Sequence, residues 1–228
     1  EVLDGFATEL ENAPEFAPAL RRLMQETIRK HGRIIFNGNN YSKEWVEEAK
    51  KRGLLNLPST ADAAPYYIHE KNLRLMEKHG VLSRIEMASR YEVTLENYTK
   101  QLHIEGLTMV DMIHKDILPA VCSYMKDLSQ TACSKKQLGP QISCQWEETL
   151  LSRLSRLSDS LAVRVGTLEN ALEKSGMVEG AQQRGRYYRD VVFNEMEATR
   201  AVADEIESLV GERYWPYPTY GKLLFSVK

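Results

Sequence analysis

Side chains that could bind a metal ion or transfer a proton are present, but their spacing does not form a recognisable site. The histidines are His31, His69, His79, His103 and His114. None of them forms an H-x-x-x-H or H-E-x-x-H pair, which would place two metal ligands on one helix face. His103 and His114 are eleven residues apart and could share a helix face, but Glu105 does not complete a ligand set with them. We therefore expect solvated or hydrogen-bonded histidines.

Carboxylates recur along one long stretch without the pattern of a carboxylate metal site. They are Glu86, Glu92, Glu96, Asp111 and Asp116. A four-helix carboxylate site uses a Glu-x-x-His repeat on paired helices, which we do not find. The sequence also lacks G-x-S-x-G and a triad-like Cys, and the turn Asn37-Gly38-Asn39-Asn40 lacks both phosphate-binding glycine patterns. We predict no catalytic, cofactor-binding or metal-binding residue in this chain.

The three cysteines, Cys122, Cys133 and Cys144, are evenly spaced in and around a polar segment. Zinc sites prefer close pairs such as C-x2-C with histidines nearby, so free thiols in a reducing cytoplasm are the favoured interpretation. The opening Glu1-Val2-Leu3-Asp4 has neither the basic nor the apolar region of a secretory signal. It resembles a helix cut mid-course, which predicts a fragment of a longer cytoplasmic protein.

The charge balance argues against nucleic acid and membrane partners. The chain has 30 basic and 32 acidic residues, and its formal net charge is -2. Such a chain has no basic footprint for nucleic acid, and no apolar run approaches the roughly 20 residues of a membrane span. Tyr187 and Tyr188 lie among arginines in 184–189 and could contact an anion or stack a base. We favour helix core beside a solvated basic rim, because no wider basic patch exists.

A stripe of apolar residues at helical spacing predicts one long helix from Gln145 to Ser175. The stripe consists of Trp146, Leu150, Leu154, Leu157, Leu161, Val165, Leu168 and Leu172. Such a helix cannot bury its stripe alone. The stretches 178–210 and 83–129 supply partners of similar length, so the sequence predicts a mainly α fold with an antiparallel bundle of long helices.

The remaining segments complete a three-part prediction. Residues 1–82 contain short helices, a turn and a possible short strand. The bundle occupies 83–210, opens on the Ser83–Glu86 capping box, is kinked near Ile117 by Pro119, and contains an exposed loop at 130–144. Residues 211–228 form an extended aromatic tail that ends in a single β-strand at 223–227. We expect the tail to be anchored by Trp215, Tyr217, Tyr220 and Phe225.

Three stretches together resemble the C-terminal part of type III glutamine synthetases. They are residues 33–57, residues 58–118 with PSTADAAPYY and SRYEVTLENYTKQLHIEGLTMVDMIHKDIL, and the tail WPYPTYGKLLFSV. The resemblance spans nearly the whole chain and is weakest from about 130 to 186. The order of Leu57-Pro58-Ser59-Thr60-Ala61 and a terminal P-x-P segment is also similar to shorter glutamine synthetases.

The resemblance implies an ATP-dependent ligase that joins ammonia to glutamate with Mg or Mn in large stacked rings. The family's metal-binding glutamates, nucleotide loop and substrate arginine would lie upstream, and no position here matches those motifs. Residues 1–82 would end the catalytic domain, and the bundle would serve assembly. The partners would be the upstream domain of the same polypeptide and further copies. The alternatives are a coiled-coil adaptor, whose seam binds a partner helix, and a stand-alone helical enzyme.

Overall fold

The fold is mainly helical, and the part of the chain that the structure describes contains no strand. This computed structural model describes residues 2–218 and 220–225, without the side chains of Tyr220 and Gly221. The α-helices are α1 Val2–Glu11, α2 Phe16–His31, α3 Lys43–Lys51, α4 Thr60–Ala63, α5 Glu70–Lys78, α6 Arg84–Met112, α7 Leu118–Leu138, α8 Gln145–Ser175, α9 Ala181–Tyr187, α10 Phe193–Glu207 and α11 Tyr220–Leu224. Shorter 3₁₀ turns span Gly32–Ile34 and Ala64–Ile68. The prediction of a mainly α fold with long helices is confirmed.

The helices are divided between two compact units, one ending at Pro58 and the other beginning at Ser59. In the first unit α1 packs against α2. The segment before α3 is held by Arg52, whose guanidinium donates to the carbonyl of Ile35 at 2.7 Å and to the carboxylate of Glu48 at 2.6 Å. Phe36 and Trp45 stack with their ring centroids 4.3 Å apart. The second unit contains all the long helices after α5.

Helix α8 forms the centre of the second unit and has the bounds predicted from its stripe. Its N-terminal half packs against α7 and α10, and its C-terminal part packs against α6 and the start of the segment that leads into α10. Leu154, Leu161 and Leu168 are fully buried by these neighbours. Trp146, which the stripe also included, is 64% exposed, because it lies in the first turn of the helix. The apolar seam is therefore filled by helices of the same chain.

A π-helical turn joins α6 to α7, and a second one joins α9 to α10. The first turn spans Ile113–Ile117, and the N–H of Leu118 donates to the carbonyl of Ile113, five residues earlier. Pro119 is the second residue after this turn, and the wider turn accommodates a residue that lacks an N–H. The α-helix is therefore interrupted near Ile117, where the sequence predicted a kink, and the interruption takes the form of a π-helical turn. The second turn spans Tyr188–Val192 between α9 and α10.

Two glycines allow close helix packing around α6. A Cβ at Gly106 would lie 2.9 Å from Leu172 Cδ2, so an alanine there would force the Leu172 side chain to shift. A Cβ at Gly185 would lie 3.1 Å from Leu95 Cδ2, where α9 crosses α6. The capping box at the start of α6 is confirmed, because the Ser83 and Glu86 side chains each accept from the other's backbone N–H.

Three sequence predictions of local structure were wrong. The possible short strand in residues 1–82 is not seen, because the described residues there form helices, 3₁₀ turns and irregular segments but no strand. The predicted loop at 130–144 is helical as far as Leu138, because Lys135 and Lys136 form ion pairs with Glu147 and Glu148 at the start of α8. The predicted terminal strand at 223–227 is also not seen. Residues 223 and 224 belong to α11, residue 225 is in a turn, and 226–227 lie outside the described residues. A strand needs a neighbouring strand, and the described residues contain none.

Candidate functional site

The candidate site is a cavity of about 490 Å³ in the second unit, between α6, α10 and the segment 211–218 that follows α10. We call it the tail cavity, because Trp215, Tyr217 and Pro218 form one of its walls. Pro216 and Pro218 lack N–H donors and keep this segment out of a helix. The segment lies instead over the first π-helical turn, whose Ile113 and Ile117 form part of the cavity floor.

Tyr217 joins the tail segment to the helix pair beneath it. Its hydroxyl donates a hydrogen bond of 2.7 Å to Oδ2 of Asp116, a residue of the π-helical turn. Burial together with the neighbouring Asp116 carboxylate raises the pKa of Tyr217 to about 12. The Tyr217 and Trp215 rings are nearly perpendicular, with centroids 6.5 Å apart. The Tyr217 side chain is therefore held by Asp116 at its hydroxyl and by Trp215 at its ring.

Tyr214 attaches the tail segment to α7 at a second point. Its hydroxyl donates to the carboxylate of Asp127, and its ring lies 5.0 Å from the ring of Tyr124. Arg213 covers the other side, with its guanidinium 4.6 Å from the Tyr214 ring centroid. Asp116 and Asp127 are eleven residues apart, close to three helical turns, so the same side of this helix receives both tyrosines.

The interior of the tail cavity is apolar and its opening is charged. Its deepest walls include the buried side chains of Ile113, Ile117 and Met196. The charged side chains around the opening are Glu105, Arg200, Asp204 and Glu207. This arrangement is suited to holding an organic group, since most small-molecule sites are apolar cavities with a few polar groups at defined positions. It provides no nucleophile next to a general base.

The residues predicted to anchor the tail lie in different environments. Trp215 and Tyr217 are half-buried and pack against the main core of the bundle. Phe225 is 84% exposed, and the side chain of Tyr220 lies outside the described residues. Their anchoring role remains a prediction. Sequence reasoning missed Tyr214, although its position beside Trp215 and the eleven-residue spacing of the two aspartates could have indicated it.

The side chains of His69, His103 and His114 take part in hydrogen bonds. His103 Nδ1 lies 3.0 Å from the Tyr188 hydroxyl, which lies 2.8 Å from Ser175 Oγ. Because Ser175 donates its own proton to the Leu172 carbonyl, it must accept from Tyr188, and Tyr188 then accepts from His103. His114 pairs with Glu169 at 3.1 Å on another helix. Within the described residues, no group of three His, Cys, Asp or Glu side chains is placed to hold a metal ion.

The arginine-rich stretch 184–189 is used to hold α4 against the bundle. Arg189 pairs with Asp62 and Asp190, and Ser59 Oγ donates to the second oxygen of Asp62 at 2.7 Å. The hydrogen bond from Ser59, together with the hydrogen bond and the charge of Arg189, lowers the pKa of the Asp62 carboxyl. Tyr188 is buried. Tyr188 therefore belongs to the helix core, as the sequence indicated, but Arg189 lies in an ion-pair network and not in the solvated basic rim that we expected.

Among the described residues, no helix is both long and apolar enough to cross a membrane.

All three cysteines are free thiols. Cys144 donates to Glu148 Oε1 at 3.4 Å, and desolvation together with this carboxylate raises the pKa of its thiol. A raised thiol pKa disfavours the thiolate, so Cys144 lacks the environment of a reactive nucleophile.

Comparison with known proteins gives consistent matches over this chain. A family model for the glutamine synthetase C-terminal domain matches residues 19–136, which is more than half of the chain. A glutamine synthetase of Butyrivibrio fibrisolvens is 41% identical over 94% of this chain and 31% of its own length. A type-3 glutamine synthetase of Dictyostelium discoideum is 29% identical, and a glutamine synthetase of Bacteroides fragilis (strain YCH46) is 27% identical, each over 91% of this chain and 29% of its own length. The chain thus spans about a third of the length of the curated relatives it matches.

Proposed function

The chain belongs to the glutamine synthetase C-terminal domain family, and from this premise we propose that it works as the C-terminal region of a type III glutamine synthetase. The resemblance noted in the sequence agrees with this family. The whole enzyme would join ammonia to glutamate at the expense of ATP, with Mg or Mn, in the cytoplasm. The described residues hold no cluster suited to a metal ion, so we assign no step of that reaction to this chain.

The proposed role of the chain is to support the assembly of the enzyme. The observation that carries this proposal is the filled seam of α8, where Leu154, Leu161 and Val165 are buried between α7 and α10. A bundle that satisfies its own core can serve as a rigid support. Further copies of the same polypeptide and its upstream catalytic domain are the partners that we propose for it.

The same observation disfavours an independent coiled-coil adaptor. Such an adaptor binds its partner helix through an exposed seam of apolar residues. In this chain the predicted seam is already covered by neighbouring helices, so the residues needed for capture are buried. A stand-alone helical enzyme is also disfavoured, because the tail cavity brings together no nucleophile and base.

The proposal is tested by comparing the 26.1 kDa chain with the longer polypeptide that carries it. We expect the chain alone to fold as a helical protein without forming glutamine. The longer polypeptide should form glutamine in an ATP-dependent reaction and assemble into large particles. Glutamine formation by the 26.1 kDa chain, verified by its intact mass, would refute the proposal.

A matched pair of variants on α8 tests the supporting role within the longer polypeptide. Leu161→Asp places a charge in the filled seam, whereas Val163→Asp places the same charge at a position that is 70% exposed. Since an unpaired buried charge is strongly destabilising, we expect the first variant to lose large assemblies and activity. The second should keep both. Loss in both variants, or in neither, would contradict a role for the buried seam.

A further inference from the structure

The tail cavity has the size and lining of a small-molecule site, and no role in glutamine formation is assigned to it. Its volume of about 490 Å³ lies within the roughly 300–1,000 Å³ typical of ligand sites. Met109, Met112 and Met196 contribute three thioether side chains to its walls. Methionine is flexible and polarizable, so walls of this kind adapt to apolar groups of different shapes. The interior therefore suits the apolar part of an organic ligand.

The aromatic wall provides a specific feature for a cation. Trp215 and Tyr217 meet at an interplanar angle of 76°, and both line the cavity. A corner made of two such rings presents two π faces or edges to one ligand group. Trp and Tyr faces attract ammonium groups within about 6 Å of the ring, and pairs of aromatic rings are used to recognise organic ammonium ions.

The charged groups at the opening favour the same ligand. Three carboxylates, those of Glu105, Asp204 and Glu207, face one guanidinium, that of Arg200. Arg200 lies 3.4 Å from Asp204 and so neutralises one of the three. Glu105 accepts only a neutral hydrogen bond from Gln101, at 2.9 Å, and Glu207 forms no ion pair within the described residues. The opening thus carries an excess of negative charge that repels anions.

From these features together we propose that the tail cavity binds an organic ammonium ion with an apolar alkyl or aryl body. The body occupies the methionine-lined interior, and the ammonium group lies between the Trp215–Tyr217 corner and the carboxylates of Glu105 and Glu207. This inference does not rest on the proposed assembly role, because that role is argued from the seam of α8 and no α8 residue lines the cavity. The volume of the cavity, its aromatic wall and the negative charge at its opening all favour this class of ligand.

Three probes of nearly the same shape test the proposal on the full 228-residue chain. They are 4-phenylbutylamine, 4-phenylbutan-1-ol and 4-phenylbutyrate, which are cationic, neutral and anionic at neutral pH. Isothermal titration calorimetry at fixed ionic strength should give the tightest binding for the amine, about tenfold tighter than for the alcohol. The carboxylate should bind more weakly than the alcohol. Equal binding of the three probes, or no binding of the amine, would overturn the proposal.

Charge-removing variants locate the cation. The double variant Glu105→Gln/Glu207→Gln should weaken amine binding about tenfold and leave alcohol binding unchanged. The matched control is Glu92→Gln/Glu197→Gln, which removes two exposed carboxylates from the same two helices outside the cavity lining. It should leave the affinity for both probes unchanged. An amine affinity that is insensitive to the first double variant, or equally sensitive to the control, would overturn the assignment of the ammonium position.

Cavity-filling variants locate the apolar body. Thr108 is exposed, lines the cavity and hydrogen-bonds only to its own helix, so Thr108→Trp should block the opening without damage to the core. It should weaken both the amine and the alcohol about tenfold or more. Thr167→Trp is the control, since Thr167 is an exposed α8 residue with the same type of hydrogen bond outside the cavity. Unchanged probe binding in Thr108→Trp would overturn the proposal.

Self-association is the competing use of this cavity. Sedimentation equilibrium of the unmodified chain and of Thr108→Trp distinguishes it from ligand binding. We expect the same oligomeric state in both proteins. A dimer that Thr108→Trp abolishes would assign the cavity to a second copy of the chain and overturn the proposal of an ammonium ligand.

Discussion

The two units of this chain are built from similar amphipathic helices, yet they differ greatly in how much of their apolar surface they bury. Among the described residues up to Pro58, the buried apolar side chains are Ala19, Leu23 and Ala49. Larger apolar residues there are exposed, and they include Phe16, Met24, Ile28, Ile34 and Ile35. The second unit fully buries Leu95, Ile113, Leu154, Leu161, Leu168 and Ile206.

The difference shows that an apolar stripe becomes a core only where neighbours of matching length cover it. Helix α8 is 31 residues long and has α6, α7 and α10 beside it, so its stripe is covered from several directions. Helix α2 is 16 residues long and packs mainly on α1, which has ten residues and buries none of them. We therefore expect the second unit to provide most of the stability of the chain, since burial of apolar area is the main stabilising contribution.

The largest expected effect comes from truncating matched leucines in the two units. Leu161→Ala leaves a cavity in a fully buried site and should lower the free energy of unfolding by about 3–5 kcal/mol. Leu23→Ala, in the two-helix packing of the first unit, should lower it by about 1 kcal/mol, because its surroundings can close around the gap. Urea unfolding followed by far-ultraviolet circular dichroism measures both values.

A half-exposed leucine serves as the control for this pair. Leu107 lies on α6 in the second unit and is 49% exposed, so Leu107→Ala should cost well under half the effect of Leu161→Ala. Equal losses for Leu161→Ala and Leu23→Ala would mean that the two units are similarly stable, and the contrast between them would fail.

A second pair compares tryptophans that are both half-buried. Trp215 packs on the bundle core beside Tyr217, whereas Trp45 stacks on Phe36 at the edge of α3. Trp215→Ala should lower the free energy of unfolding by about 2–3 kcal/mol, and Trp45→Ala by about 1 kcal/mol. Thermal unfolding of the two variants measures this difference.

The exposed Phe225 is the control for the tail. Phe225→Ala should change the free energy of unfolding by no more than about 0.5 kcal/mol, as substitutions of exposed residues usually do. If Trp215→Ala were as stable as Phe225→Ala, Trp215 would not anchor the tail. An effect of Phe225→Ala as large as that of Trp215→Ala would show that Phe225 is covered in solution.

The sequence was informative where structure depends on local periodicity and capping. The stripe of α8 gave both ends of that helix, and the Ser83–Glu86 pair gave the start of α6, because each pattern is satisfied within a few turns of one helix. The extent of α7 depends on the pairing of Lys135 and Lys136 with another helix, so the polar composition and Gly139-Pro140 suggested a loop. The terminal strand was wrong for a related reason, since strand preference is decided by neighbouring strands.

The candidate site was only partly predictable for the same physical reason. Trp215 and Tyr217 are conspicuous in the sequence because they are aromatic residues beside prolines. Their partners were hidden, because Asp116 and the cavity floor at Ile113 come from a helix about a hundred residues earlier. A charged residue on a helix is usually solvated, so nothing local marked Asp116 as a hydrogen-bond acceptor for the tail.

The smallest expected effect comes from the tyrosine hydroxyls of the two units. Tyr217→Phe removes the hydrogen bond to Asp116 and should lower the free energy of unfolding by about 1 kcal/mol at neutral pH. Tyr41 is 99% exposed in the first unit, so Tyr41→Phe should leave the stability unchanged. Urea unfolding of both variants beside the unmodified chain gives this comparison.

The pH dependence sharpens this last comparison. The folded chain raises the pKa of Tyr217 to about 12, above the value of about 10 for an unfolded tyrosine, so the folded state holds this proton more tightly. Its contribution to stability is therefore complete below pH 10 and is lost as the pH rises from about 10 towards 12. Burial also raises the pKa of Tyr98 and Tyr187, so the measured quantity is the difference between the unmodified chain and Tyr217→Phe. That difference should shrink over this pH range, and a difference that stays constant would show that burial and Asp116 do not raise the pKa of Tyr217 in the folded chain.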